Sequence, residues 1–159
     1  MTGIQIRESE ATITNSVFTS NTVDVLLSLG GDSAGEYEVY NNTFYDNNPG
    51  STGETYLLTM IHSDFQNNIV SESDHSYVVY YELDSAGYNL FWHTGTNRGA
   101  GSGAISGDPS FTDAAAGDLS LRAGYSPAID AGNPDARFED VDGSRCDLGA
   151  YGGPEGSGW

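Results

Sequence analysis

The residues whose types and spacing best suit chemistry are aspartates near the end of the chain. Carboxylates that alternate along a tight turn with glycine, here Gly143, can wrap Ca²⁺, a hard cation that takes roughly six to eight oxygen ligands. The full EF-hand pattern is not met, because Phe138 stands where its first Asp would fall. The alternative is a turn held by Asp side chains that bond to its backbone. We predict a structural calcium site that draws on Asp130, Asp135, Asp140, Asp142 and Asp147.

A second set of carboxylates suits glycoside hydrolysis. Hydrolases place two carboxylates about 5.5 Å apart for retention, or about 6.5–9.5 Å apart for inversion. Asp24, Glu82 and Asp84 lie in or beside predicted strands and could meet on one face. Because the chain has 23 acidic residues, some of them will come close by chance, so these three remain candidates and no catalytic residue is identified.

Aromatic side chains offer a third kind of chemistry, because flat rings stack on the apolar faces of sugars. Tyrosine and tryptophan combine an apolar body with a polar tip, which suits sugar binding and ordinary strand packing alike. The candidates for a carbohydrate surface are Tyr40, Tyr45, Tyr80, Trp92 and Trp159.

The charge balance excludes several partners. The chain carries a net charge of −18, with five Arg as its only basic residues and no Lys. Nucleic acids and anionic membrane surfaces would be repelled, and a polyanionic polysaccharide would need bridging cations. No apolar run approaches the roughly 20 residues that span a bilayer, so we expect no membrane insertion. The single cysteine, Cys146, excludes an intrachain disulfide.

An internal repeat supplies the elements that must position these residues. Three similar segments begin at Ile13, Val39 and Phe65, each displaced by 26 residues, and a fourth follows at Tyr88. Such a period, with strand formers and no helical periodicity, indicates a solenoid with one coil per repeat. Equivalent positions of successive coils should stack about 4.8 Å apart.

The repeat also predicts which residues stack. Two apolar columns should form, one of Phe18, Phe44, Val70 and Phe91 and the other of Val17, Thr43, Ile69 and Leu90. Amides stacked in this way can hydrogen-bond along their column, as side chains do in cross-β stacks. We predict a structural polar ladder made of Ser16, Asn42, Asn68 and Asn89.

The tail has a different character and carries a family resemblance. It contains Gly107-Asp108-Pro109, Ser126-Pro127-Ala128-Ile129-Asp130-Ala131-Gly132 and Asp147-Leu148-Gly149-Ala150-Tyr151. These motifs resemble the C-terminal region of bacterial right-handed parallel β-helix proteins of the pectate-lyase-like superfamily, and among them the choice-of-anchor Q domain proteins. The resemblance implies that the motifs close the end of the helix as a cap. A Glu commonly follows the tyrosine in such proteins, whereas this chain has Gly152.

The predicted fold is therefore all-β, a right-handed parallel β-helix forming a single-stranded solenoid of about four coils with a loop-rich C-terminal cap. We place the coils at residues 1–97, a Gly-rich break at 98–104, and a cap packed on the helix at 105–159. The chain opens inside a coil, so its first end should continue into missing N-terminal coils or stack on another copy. It shows no signal peptide at Met1, and any secretory leader would precede it.

Three functions fit these observations. The first is a secreted or cell-surface module, a non-catalytic scaffold that binds carbohydrate or serves adhesion and is stabilised by calcium. The second is the C-terminal part of a polysaccharide-degrading lyase or glycoside hydrolase, since the superfamily includes such enzymes. The third is a structural module that assembles through its open N-terminal end. Fold alone does not decide between them.

Overall fold

The computed structural model describes residues 1–30, 36–80, 83–97 and 100–156. These ranges hold 14 strands and two short 3-10 helices, and they contain no α-helix. Over the same ranges no helix has the length and hydropathy needed to cross a bilayer.

Each coil contributes one strand to each of three parallel faces. Face A consists of β1 (Thr2–Ile6), β4 (Val25–Leu29), β7 (Tyr56–Met60) and the second half of β9 (Ile69–Tyr80). Face B consists of β2 (Ala11–Thr14), β5 (Tyr37–Tyr40), β8 (Ser63–Gln66) and β10 (Ser85–Gly87). Face C consists of β3 (Val17–Thr19), β6 (Thr43–Tyr45), the first half of β9, β11 (Leu90–Thr96) and β12 (Ile105–Ser106). The predicted all-β parallel β-helix is confirmed.

The register of face C is the one that the repeat predicts. Phe18 pairs with Phe44, Phe44 with Val70, and Val70 with Phe91. This column joins the main hydrophobic core, in which the Phe18 and Phe44 rings stack with centroids 5.0 Å apart. Successive side chains of a strand point to opposite sides of the sheet. The neighbouring column of Val17, Thr43, Ile69 and Leu90 therefore points out of the coil.

A column of buried amides runs along the corner between faces B and C. Asn42 donates from its backbone N and from Nδ2 to Asn68 Oδ1, at 2.9 and 3.1 Å. Asn68 does the same to Asn89, and the Ser16 backbone N–H donates to Asn42. Asn68 Nδ2 also donates to the carbonyls of Val39 and Gln66. These amides thus satisfy the backbone groups that the turning chain leaves without strand partners.

Each corner between faces B and C is made by a pair of residues. The first of the pair has a left-handed backbone, with φ between 46° and 58° at Asn15, Asn41, Asn67 and Tyr88. Asparagine adopts this conformation more readily than most residues. The corner between faces C and A repeats the pattern, with φ between 46° and 55° at Ser20, Asp46, Glu72 and His93. In both corners the first residue of the pair turns the chain and the second contributes to the inner ladder.

The C-terminal segment begins as a continuation of the coils and then turns back along them. β12 pairs with β11, and a hairpin of β13 (Phe111–Asp113) and β14 (Asp118–Leu121) follows. Residues 128–153, which we call the strap, then lie along the corner between faces B and C. The contacts of this loop-rich segment therefore extend along the side of the solenoid.

We expect Asn68→Ala to destabilise the protein by about 3 kcal/mol, because it removes the acceptor of the buried Asn42 N–H and a donor to each of two buried carbonyls. Ser16→Ala lies in the same column at its half-buried first position, and it should cost about 1 kcal/mol. Urea unfolding measures both values. Equal losses of unfolding free energy in the two variants would contradict the stabilising role of the buried ladder.

Candidate functional site

The predicted calcium loop lies in the strap, where its carboxylates accept hydrogen bonds from backbone. Asp140 Oδ2 accepts the N–H of Asp147 at 2.9 Å, and its Oδ1 accepts the N–H of Gly153 at 2.5 Å. Burial raises the pKa of Asp140, and these two N–H groups oppose the rise. The Asp140 carboxylate thus joins two distant points of the strap.

Three of the other four carboxylates, those of Asp135, Asp142 and Asp147, have separate partners. Asp142 Oδ1 accepts from the backbone N and Oγ of Ser144, and these bonds lower the pKa of Asp142. Asp147 Oδ1 accepts from the Asp130 backbone N at 2.7 Å. The Asp135 carboxylate accepts from the backbone N–H of Arg137 and so caps the 3-10 helix Ala136–Phe138. The Arg137 Nε lies 3.8 Å from the same carboxylate.

No group of three or more His, Cys, Asp or Glu side chains converges as a metal site within the described part of the chain. The geometry around the loop corresponds to the alternative interpretation, an Asp-stabilised turn. Calcium binding by these residues stays a prediction.

The strap contacts three successive coils through the left-handed asparagines. Asn67 Oδ1 accepts from Asn133 N at 2.8 Å, and the Asn67 carbonyl accepts from Gly149 N at 2.8 Å. Asn41 Nδ2 donates to the carbonyl of Asp147 and to Cys146 Sγ. Asn15 Nδ2 donates to the carbonyls of Ala150 and Gly152 at 3.1 and 2.7 Å. The equivalent asparagine side chain of each coil therefore hydrogen-bonds to a different part of the strap.

Apolar packing reinforces these hydrogen bonds. The outward-pointing Ile69 and Leu90 are buried against Leu121, Ala128 and Leu148. This contact explains why both members of the Ile69-Val70 and Leu90-Phe91 pairs are apolar.

The glycines of the tail motif are required by these close contacts. A Cβ at Gly149, where φ is +88°, would lie 2.7 Å from Thr43 Oγ1. A Cβ at Gly152 would lie 2.0 Å from the Asp147 carbonyl oxygen. The glutamate that commonly occupies this position in the resembled proteins therefore has no room here.

The sequence-predicted sugar-binding aromatics are dispersed. Tyr40 is buried against Phe138, and its hydroxyl donates to Asp64 at 2.9 Å. Tyr45 makes an edge contact with Phe111 of the hairpin, and Trp92 stacks on His93. Tyr80 packs on Tyr56, with ring centroids 4.4 Å apart. Trp159 lies outside the described residues.

Two of the three catalytic candidates lie in the described part of the chain, and each of these has a partner of its own. Asp24 Oδ2 lies 2.5 Å from the amino group of Met1, which lowers the pKa of Asp24. Asp84 lies 3.5 Å from His62 Nδ1, in a pair that is 60% exposed on both sides. Glu82 lies outside the described residues. Asp24 and Asp84 thus have partners on different parts of the coils.

A groove that the sequence did not single out follows the corner between faces C and A. It has a volume of about 570 Å³ and is lined by Asp46, Asn48, Glu72, Asp74, His93 and Thr94. Asp46, Glu72 and His93 are the left-handed residues of three successive coils, so their side chains form one outward row. The sequence could have indicated this row through the equivalent repeat positions of the three residues. The row was not recognised because Asp, Glu and His differ in chemical type. We call this depression the acidic groove.

Hydrogen bonds order the acidic groove. His93 Nδ1 lies 2.7 Å from Glu72 Oε1, and the His93 ring stacks on Trp92. Asp46 accepts from Ser20 Oγ at 3.1 Å and from Asn48 Nδ2 at 2.8 Å. The groove therefore presents several oxygen acceptors and one imidazole at coil spacing.

A tyrosine cluster lies further along the same coils, on face A. Tyr56 and Tyr77 occupy equivalent positions, with ring centroids 5.6 Å apart and planes 16° apart. Tyr80 completes the cluster, and Glu54 accepts from the Tyr56 hydroxyl at 2.8 Å. All three rings are half-buried, so they expose part of their surface.

Comparison with protein families, with curated proteins and with solved structures yields no match for this chain.

We expect Gly152→Glu to undock the end of the strap and to destabilise the protein by about 2 kcal/mol, because the new Cβ meets backbone. Urea unfolding measures the loss of stability, and hydrogen exchange of the Ala150 amide, which donates to Thr43 Oγ1 at 3.0 Å, measures the undocking. The matched control is Gly53→Glu, at an exposed glycine where an added Cβ meets nothing within 4 Å. If both variants behave like the wild type, the strap is not packed as described.

The buried His75 should make stability depend on pH. Its Nε2 lies 2.9 Å from the Val23 carbonyl, so this nitrogen carries the hydrogen, and Nδ1 has no hydrogen-bond partner among the described residues. Burial lowers the pKa of His75 below its usual value of 6.5, against the opposing effects of Val23, Asn47, Asp24 and Asp74. The unfolded chain therefore binds the proton more readily, and stability should fall as the pH drops below about 6.5.

The variant His75→Gln should lose less stability than the wild type between about pH 7.5 and about pH 5, as measured by urea unfolding. His62→Gln, at an exposed histidine, should follow the wild-type profile. Parallel profiles for all three proteins would show that His75 contributes nothing to the acid response.

Proposed function

We propose that this chain is a secreted or cell-surface β-helix module of the pectate-lyase-like superfamily that binds carbohydrate in the acidic groove without cleaving it. The tail motifs support the superfamily, including the likeness to choice-of-anchor Q domain proteins. The observation that carries the binding proposal is the row of Asp46, Glu72 and His93, which lines an open groove at coil spacing.

The chemistry of the groove favours a ligand rich in donors. Carboxylate oxygens only accept hydrogen bonds, and Asn48 and Thr94 add further polar groups. A neutral glycan offers hydroxyl donors, and an amino sugar adds positive charge. A polyanionic glycan meets the repulsion of a chain with net charge −18. The ligand class is therefore a neutral or cationic polysaccharide.

The exposure of the groove favours binding over catalysis. The His93 and Glu72 side chains are 60% and 43% exposed, so water surrounds the pair that would have to transfer protons. Acid–base and nucleophilic chemistry normally uses groups that closure of a site protects from water. The half-buried Tyr56 and Tyr77 extend the same side of the molecule and suit stacking on a sugar.

A glycan array, followed by titration calorimetry with the best neutral or cationic oligosaccharide, tests the proposal. The double variant Glu72→Gln with Asp74→Asn should weaken binding by roughly tenfold or more, because it removes two charged acceptors. The control Glu139→Gln removes one charge from an exposed strap residue and should leave the affinity unchanged.

Incubation of the same oligosaccharide with the protein separates binding from cleavage. We expect no new reducing ends and no unsaturated product. Product formation that Glu72→Gln abolishes would replace the scaffold proposal with that of a polysaccharide-degrading enzyme. Failure to bind any glycan on the array would overturn the carbohydrate proposal itself.

A further inference from the structure

The imidazole of His93 is held in one orientation by contacts on two sides. Its Nδ1 lies 2.7 Å from Oε1 of Glu72, the equivalent residue of the preceding coil. The ring also stacks on Trp92, with centroids 4.2 Å apart and planes 25° apart. Trp92 in turn packs against the buried cluster that contains Leu90 and Leu121. The hydrogen bond therefore fixes which edge of the His93 ring faces Glu72, and the stacking fixes the plane of the ring.

The contact with Glu72 decides which nitrogen of His93 carries a hydrogen. An ionised carboxylate only accepts hydrogen bonds, so Nδ1 of His93 must donate to Glu72. In the neutral imidazole the other nitrogen, Nε2, is then an acceptor. Because the His93 side chain is 60% exposed and lines the acidic groove, a ligand in the groove can reach Nε2.

Protonation reverses what His93 offers to a ligand. The imidazolium donates from both nitrogens and accepts at neither, so Nε2 changes from an acceptor to a donor. The same step adds one positive charge to a groove lined by Asp46, Glu72 and Asp74. The ring can take this charge where it lies, between the Glu72 carboxylate and the face of Trp92. The hydrogen-bonding character and the charge of this part of the groove therefore change together.

An ammonium group of a ligand responds to this change more strongly than a hydroxyl group does. A sugar hydroxyl both donates and accepts, so it can bond to Nε2 of His93 in either form. An ammonium group only donates and is positively charged, so the imidazolium offers it no acceptor and repels it. The binding of amino sugars and of neutral sugars should therefore depend on pH in different ways.

We propose that His93 is the specificity-determining residue of the acidic groove, which accepts the ammonium group of an amino sugar at neutral pH and releases it on acidification. The inference rests on the proposed carbohydrate function and narrows its ligand class to glycans with free amino groups. Beside His93, the titratable groups that line the groove are Asp46, Glu72 and Asp74. Carboxylates lose their charge mainly below about pH 5, whereas histidine changes charge between about pH 5 and about pH 8. Among the described residues of the groove, His93 is therefore the one that responds in this range.

Titration calorimetry with a glucosamine oligosaccharide at about pH 7 and about pH 5.5 tests the proposal, and the N-acetylated oligosaccharide of the same length is the neutral comparison. The affinity for the glucosamine oligosaccharide should fall by roughly threefold or more at the lower pH, because His93 gains a charge. The probe itself gains protons as the pH falls, which alone would strengthen its attraction to the carboxylates. A fall in affinity therefore reports on the protein. The affinity for the N-acetylated oligosaccharide should change by less than about twofold.

Two variants assign the effect to His93. In His93→Asn the new residue tolerates the left-handed backbone of this position and carries no charge at either pH. Its affinity for the glucosamine oligosaccharide should not fall at the lower pH. His62→Gln changes an exposed histidine that pairs with Asp84, away from the groove, and should keep the wild-type fall. Circular dichroism at both pH values checks that each variant is folded.

Nuclear magnetic resonance of the histidine rings provides a measurement on the wild-type chain. Because ligand binding and protonation are reciprocally linked, the His93 resonance should change at a lower pH when the glucosamine oligosaccharide is bound than when it is absent. An affinity that does not fall at the lower pH, or an equal fall in His93→Asn, would overturn this proposal and leave the carbohydrate proposal standing. If the glucosamine oligosaccharide binds at neither pH, this proposal is wrong, and the glycan array decides the carbohydrate proposal separately.

Discussion

The hydrogen bonding of the corner between faces B and C determines most of this structure. A chain that turns sharply three times in each coil leaves backbone groups at each corner that no strand can pair. At this corner a left-handed residue makes the turn, and the following side chain enters the coil to satisfy those groups. Asn68 Nδ2 donates to the Val39 carbonyl of the preceding coil and to the Gln66 carbonyl of its own coil. It also donates to Asn89 Oδ1 in the next coil. The left-handed residue therefore turns the chain, and the amide that follows it sets the stacking register.

The left-handed residue gives each corner a second use. Its side chain points away from the coil, so its type decides what lies against that side of the solenoid. Asn15 and Asn41 donate to the carbonyls of the strap, and the strap in turn buries Ile69 and Leu90. At the other corner the equivalent positions are filled by Asp46, Glu72 and His93, and an open groove results. The two corners share one backbone conformation. The corner between faces B and C is covered by the strap, whereas the corner between faces C and A is open to a ligand.

This division explains what the sequence could and could not predict. The columns of Phe44 and Asn42 each repeat mainly one residue type at equivalent positions of the repeat, and parallel stacking allows a single register that keeps them together. The path of the strap depends on where side chains outside the coil point, and the repeat alone does not contain that information. Adjacent apolar residues such as Ile69 and Val70 were the available signal for a covered outer face.

The same limit applies to the acidic residues, both those predicted as a cation site and those of the acidic groove. Asp140 and Asp142 have the composition of a cation site, but backbone N–H groups occupy their oxygens. The group on Asp142 is the local Ser144 N–H, whereas those on Asp140 come from the more distant Asp147 and Gly153. Sequence spacing cannot show which N–H groups will converge on a carboxylate. The groove residues were missed for the opposite reason, because Asp46, Glu72 and His93 share a backbone position and no chemical type.

The charge of the acidic groove has a cost that bears on its use. Asp46 and Glu72 occupy equivalent positions of adjacent coils, which stack about 4.8 Å apart, and like charges at that spacing destabilise a sheet. Ser20 and Asn48 offset part of the repulsion at Asp46, and His93 offsets part of it at Glu72. Asp74 lines the same groove and adds a further acceptor. A ligand that brings hydroxyl or ammonium donors would relieve the remaining repulsion, so binding and stabilisation of these coils would be coupled.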